Sequence, residues 1–346
     1  MELPPNLRLI SSKDGSPNAF NAHFGEHYAN MGEGAFSEKL RKHIAPAWEF
    51  LRDCFGSSTE ETKTPESKAL DFASLTALPD SNLPKSKTKP KQPAPTESSV
   101  RVLDLCLGLG YTALLSRALA TLCNSKTIEP RHIHITSIEQ DRDVLKLVGA
   151  IHGLDSVVLA RLAAGECVQI GDFASKSSAQ GGISLRILWG DVREQLKCLL
   201  KQAHENPKLP LEHKIPESNA LADFGVQDDF GRESWGKESA FDIIYQDPFS
   251  YEKCPNLWDR EHFSMLYALS KPHCLITSYA TRREILLAAY EAGFLAYRYK
   301  APRQIISELL GVLGESLDRE VVYKRSSSVF SKQPLNFGDP QHYFLG

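Results

Sequence analysis

Between residues 100 and 300, short apolar runs alternate with stretches in which apolar residues recur three or four positions apart, the period of a half-buried helix. Val100 to Leu105 predicts a buried strand and Tyr111 to Cys123 the helix after it. Ile133 to Ile138, closed by Glu139, predicts a second strand, followed by a helix from Asp141 to Ile151. A third strand runs from Ile183 to Trp189 and ends in Gly190-Asp191. The fourth, Phe241 to Gln246, ends in Asp247-Pro248-Phe249-Ser250. His273 to Ser278 predicts the fifth, ahead of a helix from Thr281 to Ala292. Strand and helix alternating in this way require a mostly parallel sheet with helices on its faces. Phe294 to Lys300 and Val321 to Phe330 suit an antiparallel pair that completes the sheet.

Three stretches depart from this rhythm. Residues 1–56 form an N-terminal extension with a predicted helix from Ala35 to Cys54, where Phe36, Leu40, Ile44, Trp48 and Leu51 recur at helical spacing and demand an apolar partner. Residues 57–99 are rich in Ser, Thr, Pro and Lys, with Lys85, Lys87, Lys89 and Lys91 close together, the composition of a solvated insertion. Residues 201–240 form a second polar, Pro-containing insertion within the domain 100–346.

Composition narrows the class only modestly. A formal charge of −3 over 346 residues gives no global attraction to polyanions, so such a partner must be met by local patches. Seven cysteines without a Cys-x-x-Cys pair or a metal-like cluster point to free thiols in a reducing cytoplasm, and Cys106, Cys198 and Cys274 are expected in the core. No apolar run approaches a membrane span, and the first residues lack a basic-then-apolar signal; the expectation is a soluble cytoplasmic protein with no metal.

The chemistry starts where the first strand meets its helix. Asp104-Leu105-Cys106-Leu107-Gly108-Leu109-Gly110 is a strand running into a glycine-pinched loop, a turn that brings bare backbone against a nucleotide-like ligand. This run resembles the first motif of S-adenosylmethionine-dependent methyltransferases, and it also satisfies the looser dinucleotide fingerprint of NAD(P) enzymes. Acids close the next strands. Glu139 suits both ribose hydroxyls, and Asp191 suits the adenine amine with Val192 packed on the ring. Asp104 holds the glycine loop or reaches the methionyl amine through water. Each acid equally suits a helix N-cap.

Asp247-x-Phe249-Ser250, followed by Asn256-x-Trp258, resembles the corresponding segment of the MnmC-type tRNA methyltransferases. Asp14-Gly15-Ser16, Glu26-His27-Tyr28, Gly34-Ala35 and Glu38 resemble that family's N-terminal signature, and Ile276 to Ala280 with Ala292-Gly293-Phe294 its later motifs. The chain departs from the family at Cys106, where the first loop glycine is usual, at Asn30 and Pro248, and in a closing basic motif reduced to Lys324-Arg325-Ser326-Ser327. The resemblance implies an α/β fold, a Rossmann-like class I methyltransferase without the oxidase domain of some relatives. Its cofactor would be S-adenosylmethionine and its partner the anticodon loop of a tRNA. The reaction implied converts 5-aminomethyl-2-thiouridine at the wobble position to its methylamino form. Asp247 would then be catalytic, binding the substrate ammonium and then holding the neutral amine in line with the methyl. Tyr28 would line the cofactor slot. Phe249, Ser250 and Trp258 would flank the flipped base, and Lys324 and Arg325 would meet phosphates. An NAD(P)-dependent oxidoreductase, an aminopropyl transferase and a catalytically silent RNA binder are the rival readings.

Overall fold

A computed structural model describes residues 5–56, 99–128, 132–170, 182–205, 240–315 and 326–340. The chain opens with a small antiparallel sheet of β1 (Leu7–Ser11), β2 (Pro17–Asn21) and β3 (Glu26–His27). One helical rod follows, made of α1 (Ala35–Lys39), a π-helical turn (Leu40–Ile44) and α2 (Ala45–Phe55). Then come β4 (Ser99–Leu105), α3 (Tyr111–Leu115), α4 (Arg117–Ser125), β5 (His132–Glu139), α5 (Val144–His152), α6 (Ser156–Ala163), β6 (Val168–Ile170) and β7 (Ile183–Trp189). The remainder is α7 (Val192–Glu205), β8 (Phe241–Gln246), α8 (Arg260–Leu269), β9 (Ser270–Ser278), α9 (Arg283–Glu291), β10 (Leu295–Tyr299), α10 (Arg303–Leu313), β11 (Ser327–Ser331) and β12 (Asp339–Pro340).

The main sheet runs in the order β12-β10-β11-β9-β8-β4-β5-β7-β6. Strands β7, β5, β4, β8 and β9 are mutually parallel, with Val102 opposite Ile135 on one side and Ile243 on the other. β11 enters antiparallel beside β9, and β10 antiparallel beside β11. Strand order therefore reverses about β4, and ligands of open α/β sheets bind at the carboxyl ends beside such a reversal. The five parallel strands were legible as apolar runs because both of their faces are covered. On one face lie α2, α4, α5 and α10, with Leu51, Leu119, Val148 and Ile306 in one apolar cluster with Val102 and Ile135. On the other lie α7, α8 and α9, with Leu196, Phe263 and Ala289 in a second cluster with Leu103 and Ile244.

Several expectations need correction. The predicted helix 111–123 breaks at Ser116, whose hydroxyl bonds back to Thr112 O at 2.8 Å and meets the Tyr245 hydroxyl at 2.9 Å. Back-bonding of this kind bends helices. Cys198 is exposed: on α7 the buried positions are Val192, Leu196 and Leu199, and Cys198 falls off that stripe. Cys274 is buried as expected, and Cys106 is half-buried. Residues 57–98 of the expected insertion 57–99, most of 201–240 and the first residues of the expected strand 321–330 lie outside the described residues, and Ser99 opens β4.

Candidate active site

A cavity of about 1000 Å³ opens at the carboxyl ends of β4, β5 and β8, and its wall includes Gly108, Glu139, Asp191, Val192, Tyr28, Asp247 and Phe249. Its floor is the loop after β4. Cys106 has φ 68°, Gly108 φ 51° and Gly110 φ 76°, so three of five consecutive residues take the left-handed conformation that glycine adopts without strain. Cys106 therefore takes the conformation of the glycine it replaces, at a cost of about 1–2 kcal/mol. At Gly108 a Cβ would come within 3.1 Å of the Tyr28 ring, so only bare backbone leaves the slot open there.

Glu139 ends β5 and is held by three backbone N–H groups, Gly108 at 2.9 Å on one oxygen and Gln140 and Asp141, each at 2.9 Å, on the other. Burial outweighs those donors and pushes its pKa up to about 7. Asp104 does not reach the cavity wall. Its oxygens accept from Thr112 at 2.8 Å and Ser137 at 2.7 Å, tying the start of α3 to β5, and burial raises its pKa to about 6. Of the two roles open to Asp104 in the sequence, this geometry serves the first, holding the glycine loop and its helix. Asp191 caps α7, accepting from Arg193 N at 2.9 Å and Glu194 N at 3.2 Å, and it still faces the cavity beside Val192.

Past β8, Phe249 stands between Phe24 and Tyr28, with ring centroids 4.6 Å and 5.2 Å away. Tyr28 is fixed in turn by Asn21, whose amide donates to its hydroxyl at 2.9 Å. Ser250 is not presented to a substrate: its N–H and hydroxyl both point to the Glu26 carboxylate, the hydroxyl at 2.9 Å. Trp258 is 1% exposed, donates to Phe249 O at 2.9 Å and meets Tyr279 edge-on, which leaves it no open face for a base. It supports Phe249 from behind. Lys324 and Arg325 lie outside the described residues.

The rod entering from the N-terminus brings what the sequence reading missed. Lys39 Nζ lies 2.7 Å from each oxygen of Asp247 and 3.7 Å from Glu38. Lys42 Nζ bonds Glu38 at 2.8 Å and sits 3.2 Å from Glu33, which Arg41 approaches at 3.6 Å. His43, fully buried, meets Thr277 Oγ1 at 2.7 Å and places Nε2 3.4 Å from Asp247. The predicted apolar stripe was real, yet the charged residues between its members are buried as well, so the rod is enclosed on all sides from Ala35 to Trp48. In the sequence Glu38, Lys42, Glu49 and Asp53 recur opposite the stripe, as on a solvated helix face, so no local signal marked the charges at 38–42 as buried.

Residues 228–302 match a family described as S-adenosyl-L-methionine-dependent methyltransferases. The structure is similar to that of MnmC2 from Aquifex aeolicus, with a TM-score of 0.53 and 17% identity over 98% of this chain and 73% of that one. Weaker likenesses are to a TehB-like S-adenosylmethionine-dependent methyltransferase from Corynebacterium glutamicum (TM-score 0.27, 9% identity, 68% of this chain and 80% of that one) and to a spermidine synthase complexed with a transition-state analogue (0.35, 9%, 96% and 71%). The sequence has no match among curated proteins. The likeness to MnmC2 extends to the fold, which is that of a Rossmann-like class I methyltransferase, and the cofactor that goes with family and fold is S-adenosylmethionine. The cavity fits that group: bare backbone at Gly108, a carboxyl at the end of β5, and the aromatic rings of Tyr28 and Phe249 on one wall. No helix among the described residues is long and apolar enough to cross a membrane.

Proposed function

We propose that this chain is a cytoplasmic tRNA methyltransferase whose acceptor is the aminomethyl nitrogen of a wobble 5-aminomethyl-2-thiouridine. The observation that carries the reading is the meeting, in one cavity, of the loop at Gly108, the ribose-suited acid Glu139 and the Asp247-Pro248-Phe249 segment. Glu139 would take the ribose hydroxyls, Asp191 and Val192 the adenine, and Tyr28 and Phe249 the sulfonium end. When bound, S-adenosylmethionine supplies an electrophilic methyl: the amine lone pair forms the N–C bond as the C–S pair returns to sulfur, and the charge passes to nitrogen. The chain's own contribution is positioning and exclusion of water. Asp247 accepts an N–H of the amine and aims its lone pair, while Phe249, braced by Trp258, Phe24 and Tyr28, walls the acceptor. The likeness to MnmC2 and the acceptor segment shared with its family support RNA over a small-molecule amine.

Incubating the protein with S-adenosylmethionine and tRNA carrying 5-aminomethyl-2-thiouridine, then analysing nucleosides by mass, should show the methylamino product. Asp247→Asn should lower single-turnover rates by roughly 10²-fold or more while leaving S-adenosylhomocysteine binding largely intact. Unmodified nucleosides, with tight NADH binding in place of S-adenosylhomocysteine, would establish the oxidoreductase reading instead.

A further inference from the structure

The carboxylate assigned to the acceptor amine already has a cation on it. Lys39 contacts both oxygens of Asp247 at 2.7 Å, and the two side chains are 7% and 8% exposed. Burial works against the Lys39 charge, but Asp247 and Glu38 more than offset it, so its pKa lies above the ordinary lysine value. Around this pair the charges balance: carboxylates Glu33, Glu38 and Asp247 face cations Lys39, Arg41 and Lys42. His43 contributes no charge near neutrality, since burial lowers its pKa. From the sheet side, Asp104 on β4 adds a more distant carboxyl, and Tyr279 after β9 presents its ring to Lys39 at 5.8 Å. A second ammonium on Asp247 would sit beside Lys39, placing two cations on one buried carboxylate. A like charge within ~4–6 Å disfavours the charged form of its neighbour.

We infer that Lys39 is a positioning residue that admits the acceptor only as a neutral amine and helps expel the methylated ammonium. The inference rests on the amine-methylation reading above, and it reverses the expectation that Asp247 first binds the ammonium. The acceptor sheds its proton to solvent on entering. The neutral amine then donates one N–H to an Asp247 lone pair that Lys39 leaves free. After transfer the positive charge resides on nitrogen beside Lys39, and repulsion favours departure.

The first test uses the wild-type protein loaded with S-adenosylhomocysteine, so that no turnover occurs. Calorimetric titration with the aminomethyl tRNA, about one pH unit below the pKa of the free amine and in buffers of differing ionisation enthalpy, should show close to one proton released. The same tRNA lacking the aminomethyl group supplies the baseline. Binding with no proton release would overturn the inference. The second test follows single-turnover methyl transfer across pH. In Lys39→Met the acid limb should move up by about one unit or more, because the neighbouring cation is lost and Asp247 is bared. Lys39→Arg, which keeps the charge, should leave the limb near its wild-type position. A rate lowered equally at every pH in Lys39→Met would mark Lys39 as structural only. If Lys39→Met does not bind S-adenosylhomocysteine, the wild-type proton count and Lys39→Arg decide. Wild-type protein that fails to methylate this tRNA overturns the proposed function, whereas one that methylates it but binds the ammonium overturns only the role of Lys39.

Discussion

Glu139, the acid proposed for the ribose, would couple cofactor binding to pH. It is buried to 7% exposure with three backbone N–H groups on it, and burial still holds its pKa at about 7, above the ordinary 4.5. A raised pKa means that the folded protein favours the protonated form. The associated stability is full below pH 4.5 and is lost as pH rises through about 7. A ribose diol wants the opposite state, an ionised carboxylate that accepts from both hydroxyls. S-adenosylhomocysteine should therefore bind more tightly as pH rises from about 6 to about 8, with proton release near neutrality. Glu139→Gln should flatten that dependence and weaken binding by about 1.5–3 kcal/mol. Calorimetry at several pH values checks both, and a flat wild-type profile would remove Glu139 from the ribose site. Glu139 and Gly108 were legible in the sequence because strand, loop and acid follow one another locally. Lys39 was not: its partner lies 208 positions away, and nothing in a local pattern distinguishes a buried lysine from a solvated one.

At the scale of the element, the start of the rod explains a signature that sequence alone left without a mechanism. Helix α1 has no capping side chain of its own at Gly34. Its free N–H groups are taken by the turn between β1 and β2: Ala35 N by Ser12 at 3.0 Å, Phe36 N by Ser16 at 3.0 Å and Ser37 N by Asp14 at 2.9 Å. The Asp-Gly-Ser run and the distant Gly-Ala are thus two halves of one cap. Gly34 has φ 94°, and a Cβ there would lie 1.9 Å from the Asp14 carboxyl carbon. Asp14→Ala should cost about 1–2 kcal/mol, the range of a lost cap. Gly34→Ala should cost more, since backbone strain of about 1–3 kcal/mol adds to displacement of the cap. Both should depress methyl transfer beyond their effect on stability, because the cap fixes the register in which α1 and its π turn deliver Lys39 to Asp247. Denaturant unfolding compared with single-turnover rates checks this, and a Gly34→Ala protein of wild-type stability would refute the cap.

For the whole molecule, the parallel strands were readable because a strand buried on two faces is a mainly apolar run, as in Val102 to Leu105, interrupted by Asp104, and Phe241 to Tyr245, interrupted by Asp242. What was not readable depends on tertiary context. β6 is three residues long and exists through its pairing with β7, and α10 packs against a rod more than two hundred residues earlier in the chain. That packing sets the last expectation. Phe36, Leu40, Ile44, Trp48 and Leu51 share one apolar cluster with Val102 and Ile135 of the sheet and Ile306 and Leu310 of α10. Trp48 is fully buried and donates to Glu308 at 2.9 Å. At about 1.5–3 kcal/mol per large apolar side chain, these five contribute roughly 7–15 kcal/mol of burial. That is the size of the whole net stability of a typical domain, about 5–15 kcal/mol. Residues 1–56 should therefore be part of the folding unit and not an appendage to it, and they alone carry Lys39, Lys42 and Tyr28 into the cavity. A protein beginning at residue 57 should show no cooperative thermal transition and no S-adenosylhomocysteine binding. A mixture with a separately made 1–56 segment should restore both in proportion to its concentration, since the rod would then bind as a ligand of the folded state. Cooperative unfolding and tight cofactor binding by the 57–346 protein alone would show that the sheet and its remaining helices hold the fold without the rod, whose part would then be confined to the acceptor side of the cavity.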